Sequence, residues 1–284
     1  MNDIQIIYDT MNDVPEEIIS KYNNITMLST NIIFQEKEYK AGVDINTNEF
    51  YKLLRNSKEI PKTSQITYYT YKETFEKYLN EGKKILYMAG SSKSSGTIQT
   101  AILAKNDIEN NENIYIFDTF NLCIGGGMLI YEAAKMVEQG NDINTIINKL
   151  EEYKQNVEVY FSVDTLEYLY KGGRISGTKA AVGSLLNIKP ILKLEDGMVT
   201  QKGQVRGTKK IIPTLIQNLK SYTDDFSDKD VYIGYGDDIE ARDKFIEMVE
   251  KELSPKKIYT FQVGACVACH SGPEVFGLGF LNKQ

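Results

Sequence analysis

The chain has no tryptophan, a single histidine, only three cysteines and no surplus of basic residues. Three cysteines, an odd number, do not make a disulfide framework and suit a reducing compartment. Thirty-three Lys and Arg against 39 Asp and Glu leave a net charge of −6, the opposite of the basic patch a nucleic-acid binder needs. No apolar run approaches the ~20 residues of a membrane span. The opening Met1-Asn2-Asp3-Ile4 shows neither a basic leader nor the apolar core of a signal peptide, so a cytoplasmic protein without nucleic-acid partners is expected. The missing tryptophan, beside abundant Lys, Asn and Ile, reads as genome composition. No internal repeat or low-complexity segment is present, and the Asn-rich stretch 106–113 reads as a surface connection. What is there is a 42% hydrophobic chain of 284 residues, enough for two modest domains or one large one.

The stretch with most chemical content runs from Ile85 to Ala101. It opens as a short apolar run suited to a buried strand. It closes in a helical pattern with Ile98, Ala101 and Ile102 on one face. Between them lies Gly90-Ser91-Ser92-Lys93-Ser94-Ser95-Gly96-Thr97, rich in residues that cap helices and tolerate unusual backbone angles. A strand that turns through such a loop into a helix gathers free N–H groups at one point, where the helix dipole favours an anion. The loop is either a site for a small carboxylate or phosphate, or a well-capped helix start. It is not a P-loop, which needs four residues between its glycines where this chain has five. Nor is it a hydrolase elbow, because Ser94 stands where Gly-x-Ser-x-Gly requires glycine.

Two further strand–polar loop–helix units flank this one. Ile4–Tyr8 leads into Asp9-Thr10-Met11-Asn12-Asp13 and a helix start at Val14-Pro15, with Asp13 as the expected N-cap. Ile114–Phe117 leads into Asp118-Thr119 and a helix opened by Gly125-Gly126-Gly127, glycines that would bind a ligand or, the favoured reading, let the helix sit close to the sheet. Three such units predict an α/β domain with a parallel sheet and its ligand loops, at Asp9, Ser92 and Asp118, along one edge. Residues 27–43 read as short strands, 49–54 as a short helix, 60–65 as a loop and 71–79 as a helix bearing Phe75, Tyr78 and Leu79. The second half mixes hairpins with helices. Asp196-Gly197 between two apolar runs is a hairpin signal, strands are expected at 157–163, 231–235 and 257–262, and helices at 212–219 and 241–253. The expected architecture is a parallel-sheet α/β domain over residues 1–154 and an α+β domain with a largely antiparallel sheet over 155–284.

Three other constellations stand out. Cys266-Val267-Ala268-Cys269-His270 matches the c-type haem motif letter for letter. Without an export signal, and one ligand short of a zinc site, it is read as accidental, inside a buried strand or tight turn, so no metal and no cofactor are expected. His270 precedes the turn Ser271-Gly272-Pro273 and suits donation to a carboxylate or proton transfer. Arg174, within Gly172-Gly173-Arg174-Ile175-Ser176-Gly177, and Arg206, within Arg206-Gly207-Thr208-Lys209-Lys210, are candidates for bidentate contact with carboxylate or phosphate oxygens.

Five motifs in order (Pro61-Lys62-Thr63-Ser64-Gln65, the serine-rich loop through Ala101, Tyr168 to Ser176, Lys189-Pro190-Ile191-Leu192 and His270-Ser271-Gly272-Pro273) together resemble the DegV family of bacterial fatty-acid-binding proteins, over nearly the whole chain. The resemblance implies a lipid-binding protein, not a free-standing enzyme, with a long-chain fatty acid buried between two domains. It implies a carboxylate held by Thr63, Ser92 and His270, with Ser64 and Ser95 as alternatives. It also implies a separate ATP-dependent fatty acid kinase subunit as partner, which converts the bound acid to an acyl phosphate for phospholipid metabolism, with Arg174 and Arg206 serving the partner surface or the phosphoryl transfer. Transient contact with a membrane surface is compatible with such a carrier. The chain departs from the family pattern at Met11, at Ile66 in place of proline, and at Glu274 in place of glycine. The competing reading from the residues alone is a serine-dependent acyl hydrolase using Ser92 and His270.

Overall fold

The computed structural model describes residues 3–175 and 187–283. The elements of the first half are β1 (Ile4–Asp9), α1 (Glu16–Ile19), β2 (Ile25–Leu28), β3 (Asn31–Phe34), β4 (Lys37–Lys40), α2 (Thr47–Arg55), β5 (Lys62–Ser64), α3 (Tyr68–Asn80), β6 (Lys84–Ala89), α4 (Thr97–Asn106), β7 (Ile114–Asp118), α5 (Ile124–Glu138) and α6 (Ile143–Lys154). The second half carries β8 (Val157–Val163), α7 (Glu167–Lys171), β9 (Ile188–Glu195), β10 (Met198–Arg206), α8 (Ile211–Lys220), β11 (Asp230–Tyr235), α9 (Ile239–Leu253), β12 (Lys257–Gln262), α10 (Ala265–Ser271) and β13 (Val275–Leu281).

The chain is α/β. A four-stranded parallel sheet in the order β2-β1-β6-β7 and a small antiparallel sheet β4-β3-β5 draw only on the first half. A six-stranded mixed, largely antiparallel sheet in the order β10-β9-β8-β13-β11-β12 draws only on the second. The six residues of β1 are all buried, as expected of a parallel strand covered on both faces. Helix α5 is buried along almost its whole length, against β1 on one side and β8, β11 and β13 on the other. Ile4, Ile6, Met128, Leu129, Val159 and Tyr232 thus share one apolar core. No described helix is long and apolar enough to cross a membrane.

Several local expectations are corrected. Asp13 does not cap α1, whose N-cap is Pro15 with no side-chain bond; its carboxylate accepts from the Gly264 N–H at 3.1 Å. Gly126 and Gly127 make their close approach to the loop after β1, since a Cβ on either would overlap Asn12 Oδ1 or the Asp13 carbonyl. Residues 62–64 form β5 because β3 offers them an antiparallel edge. Ile102 is 42% exposed, because the buried stripe of α4 is Thr97, Ile98, Ala101 and Ala104. The Cys-x-x-Cys-His segment is helical, its small residues letting α10 pack tightly on α2, α7, β3 and β5.

Candidate functional site

Segments far apart in sequence meet around one cavity of about 150 Å³. Strand β5 supplies Thr63 and Ser64, fixed by the pairing of Ile32 with Thr63. The end of the serine-rich loop and the start of α4 supply Ser94, Ser95, Gly96 and Thr97. The end of α10 supplies His270 and Ser271, and the turn after α7 supplies Arg174. Most of the remaining wall is apolar: Met11, Leu122 and Ile124 from the first half, Val159, Phe161, Leu194, Val199 and Val275 from the six-stranded sheet.

The polar residues form a connected cluster. His270 Nε2 lies 3.0 Å from Thr63 Oγ1. Its Nδ1 is buried and has no hydrogen-bond partner among the described residues. A Cβ on Gly172 would overlap that nitrogen, which explains the first glycine of the pair; the second, Gly173, turns the chain at φ +69°. Burial of the imidazole, then the charge of Arg174, pushes the His270 pKa down to about 4, so the ring is neutral near pH 7. Arg174 donates through Nε to the Ser94 carbonyl at 3.0 Å and through Nη1 to the Gly172 carbonyl. It therefore joins the α7 turn to the serine loop with its charge on the cavity wall.

The four serines of the loop divide. Ser91 and Ser94 both donate to the Gly197 carbonyl, at 2.8 and 2.9 Å, locking the loop to the tip of the β9–β10 hairpin. The N–H groups of Ser94 and Ser95 bond to the Ser91 carbonyl, and this turn delivers residues 94 and 95 to the cavity. Ser95 Oγ lies 2.8 Å from Thr97 Oγ1 and accepts from the Thr97 N–H at 3.2 Å. Ser92 stays off the wall, its N–H donating to Asp118 Oδ1 at 3.3 Å. A hydrolytic Ser92–His270 pair would need the two within hydrogen-bond reach; here the imidazole is engaged with Thr63.

Asp9 and Asp118, expected beside a ligand, act as latches. Asp9 is buried and accepts from the N–H groups of Met11 and Gly90 and from the Tyr87 hydroxyl, at 3.0, 3.1 and 2.7 Å. Burial raises its pKa to about 6 in spite of those bonds. The contact places Met11, one of the departures from the family pattern, in the cavity wall. Glu274 does not project toward His270; it pairs with Arg55 at 2.9 Å, and Arg55 also grips Asp237. Arg206 is exposed at the end of β10, paired with Ile188 and off the cavity wall. The two arginines expected to act together are thus in different settings. Cys266 lines the wall with burial pushing its thiol up to about 12, and no group of three or more His, Cys, Asp or Glu among the described residues is placed to hold a metal ion. Ser176 and Gly177, at the end of the arginine motif, lie outside the described residues.

Two sheet systems around a central helix, with a largely apolar cavity whose wall also carries hydroxyl, imidazole and guanidinium groups, define an α/β protein with an amphiphilic pocket. The chain belongs to the DegV family, whose profile, described as that of an uncharacterised protein family, matches residues 3–283. A DegV domain-containing protein of Caldanaerobacter subterraneus subsp. tengcongensis is 34% identical over 283 residues, 100% of both chains. Among solved structures, a stearic-acid-binding protein of Eubacterium ventriosum superposes with a TM-score of 0.91 at 28% identity, over 98% of each chain. A fatty-acid-binding DegV family protein of Thermus thermophilus superposes with a TM-score of 0.89 at 27% identity, over 98% of this chain and 99% of that one.

Proposed function

We propose that this chain binds one long-chain fatty acid, with its acyl chain in the cavity and its carboxylate among Thr63, Ser95, His270 and Arg174. The observation that carries the reading is the cavity itself, whose apolar wall ends in the linked cluster Thr63–His270–Arg174–Ser94. Burying a methylene contributes roughly 0.8 kcal/mol, so a chain of about sixteen carbons contributes on the order of 10 kcal/mol before ordering costs. The carboxylate needs donors, because an unpaired buried charge is costly. A neutral His270 that donates from Nε2 to Thr63 Oγ1 leaves the threonine hydrogen free for a carboxylate oxygen. Arg174 supplies the counter-charge and the start of α4 a favourable dipole. Ser95, which stands on the wall, takes the part the resemblance offered to Ser92, and Ser64 is the neighbouring hydroxyl. Incubation with isotope-labelled palmitate or oleate followed by gel filtration tests the reading. One equivalent should travel with the protein; label that elutes entirely free contradicts it.

The further step, presentation of the carboxylate to a separate ATP-dependent fatty acid kinase to give an acyl phosphate, is proposed on the family resemblance. It is supported by the absence of a P-loop from the sequence and by exposed Arg206, free of the cavity and open to a partner's surface.

A further inference from the structure

Two glycines stand in the apolar wall, Gly234 on β11 and Gly277 on β13. They are partners in the antiparallel pairing of those strands. Gly277 also stands opposite Phe161 of β8, and Gly234 opposite Phe261 of β12. One row across the sheet therefore reads Phe161, Gly277, Gly234, Phe261, a trough two residues wide between aromatic walls. Glycine weakens a strand interior, and neither residue has a positive φ, so the backbone does not demand it here. Packing does not demand it either. A Cβ on Gly277 would sit 3.6 Å from Phe161 Cβ and 3.8 Å from Ile124 Cδ1. One on Gly234 would sit 3.4 Å from Val263 Cγ2 and 3.5 Å from Ile124 Cγ2. These are ordinary van der Waals contacts, and what a side chain would take is cavity space.

Gly279, on the same face of β13 and off the cavity wall, is different. A Cβ there would lie within 3 Å of the Glu158 carbonyl, Val159 Cγ2 and Met128 Cε. Alternate residues of a strand share a face. Along β13 the cavity wall thus runs from Val275, the strand residue nearest His270 in the chain, to Gly277, and stops where Met128 of α5 covers Gly279. We infer that Gly234 and Gly277, with Met128 as the end wall, set the length of acyl chain the cavity accepts. This rests on the fatty-acid reading. Because interiors are close-packed, each carbon added to the trough displaces about one carbon of the ligand.

The test uses delipidated wild type, Gly277→Ala, Gly277→Val, Gly234→Ala and Met128→Ala, each incubated with an equimolar series of saturated acids from laurate to stearate. The bound acids are extracted and quantified by mass spectrometry. The glycine variants should shift toward shorter acids, by about one carbon for alanine and about three for valine, and Met128→Ala toward longer ones. If Gly277→Val does not fold, the alanine variants and the opposite shift in Met128→Ala decide the matter. Glycine variants that hold one equivalent with the wild-type chain distribution overturn the inference and leave fatty-acid binding standing. A wild type that takes up no acid overturns both.

Discussion

His270 should make the stability of the lipid-free protein fall with acidification, and the His270→Gln variant should lose that dependence. The ring's pKa drops from 6.5 in the unfolded chain to about 4 when folded, through burial and then the charge of Arg174. Between those values the unfolded chain binds a proton that the folded one refuses. The contribution is therefore present above pH 6.5 and is lost as pH falls toward 4. At 1.36 kcal/mol per unit this amounts to about 3 kcal/mol. Two carboxylates act the other way: burial raises Asp9 and Asp13 to about 6, so they favour the folded state increasingly as pH falls from 6 toward 3.8. Both are retained in the variant, so they cancel in the difference between the proteins. Guanidinium unfolding of wild type and His270→Gln at pH 7.5 and 4.5 measures it. The variant should gain about 2–3 kcal/mol on the wild type between the two values. A difference that does not change with pH would refute a buried neutral imidazole. Lipid-free protein is required, since a bound carboxylate raises the ring's pKa.

Three other outcomes are expected. Ser95→Ala should weaken fatty-acid retention by on the order of 1–3 kcal/mol, whereas Ser92→Ala should retain the wild-type lipid content; extraction and mass spectrometry of the two purified variants compare them directly. Thr63→Val removes the hydroxyl between His270 and the ligand and should weaken retention by a similar amount, on the order of 1–3 kcal/mol, read by titration with labelled palmitate. Arg174→Met should reduce affinity for palmitate much more than for its methyl ester, because the ester carries no charge for the guanidinium to meet; equal losses for both would assign Arg174 a packing role.

The sheet architecture was legible because its strands announce themselves. Ile4–Asp9 and Lys84–Ala89 are short apolar runs that end in polar loops, and Asp196-Gly197 marks the hairpin between β9 and β10. Elements with mixed signals were not legible. β13 carries Gly277 and Gly279, which break its strand pattern. Helix α10 is built of alanine and cysteine, whose size and not their periodicity suits a tight gap. β5 is a strand only because β3 lies beside it. Thr63 and His270 stood out through their motifs, and the structure bonds them across 207 positions of sequence. Which two of the four serines reach the cavity depends on a single turn closed on the Ser91 carbonyl, and side-chain direction within such a turn is not written in residue order. Gly172 is explained by the position of an imidazole far along the chain, and Met11 by the latch at Asp9.

Whether a fatty acid fills the cavity can be read from native mass spectrometry of the protein as purified from bacterial cells, followed by solvent extraction of the same sample. A single added mass per chain should disappear on denaturation and be recovered in the extract as a long-chain fatty acid. A protein whose native and denatured masses agree, and which still takes up no palmitate or oleate when these are supplied, would contradict it.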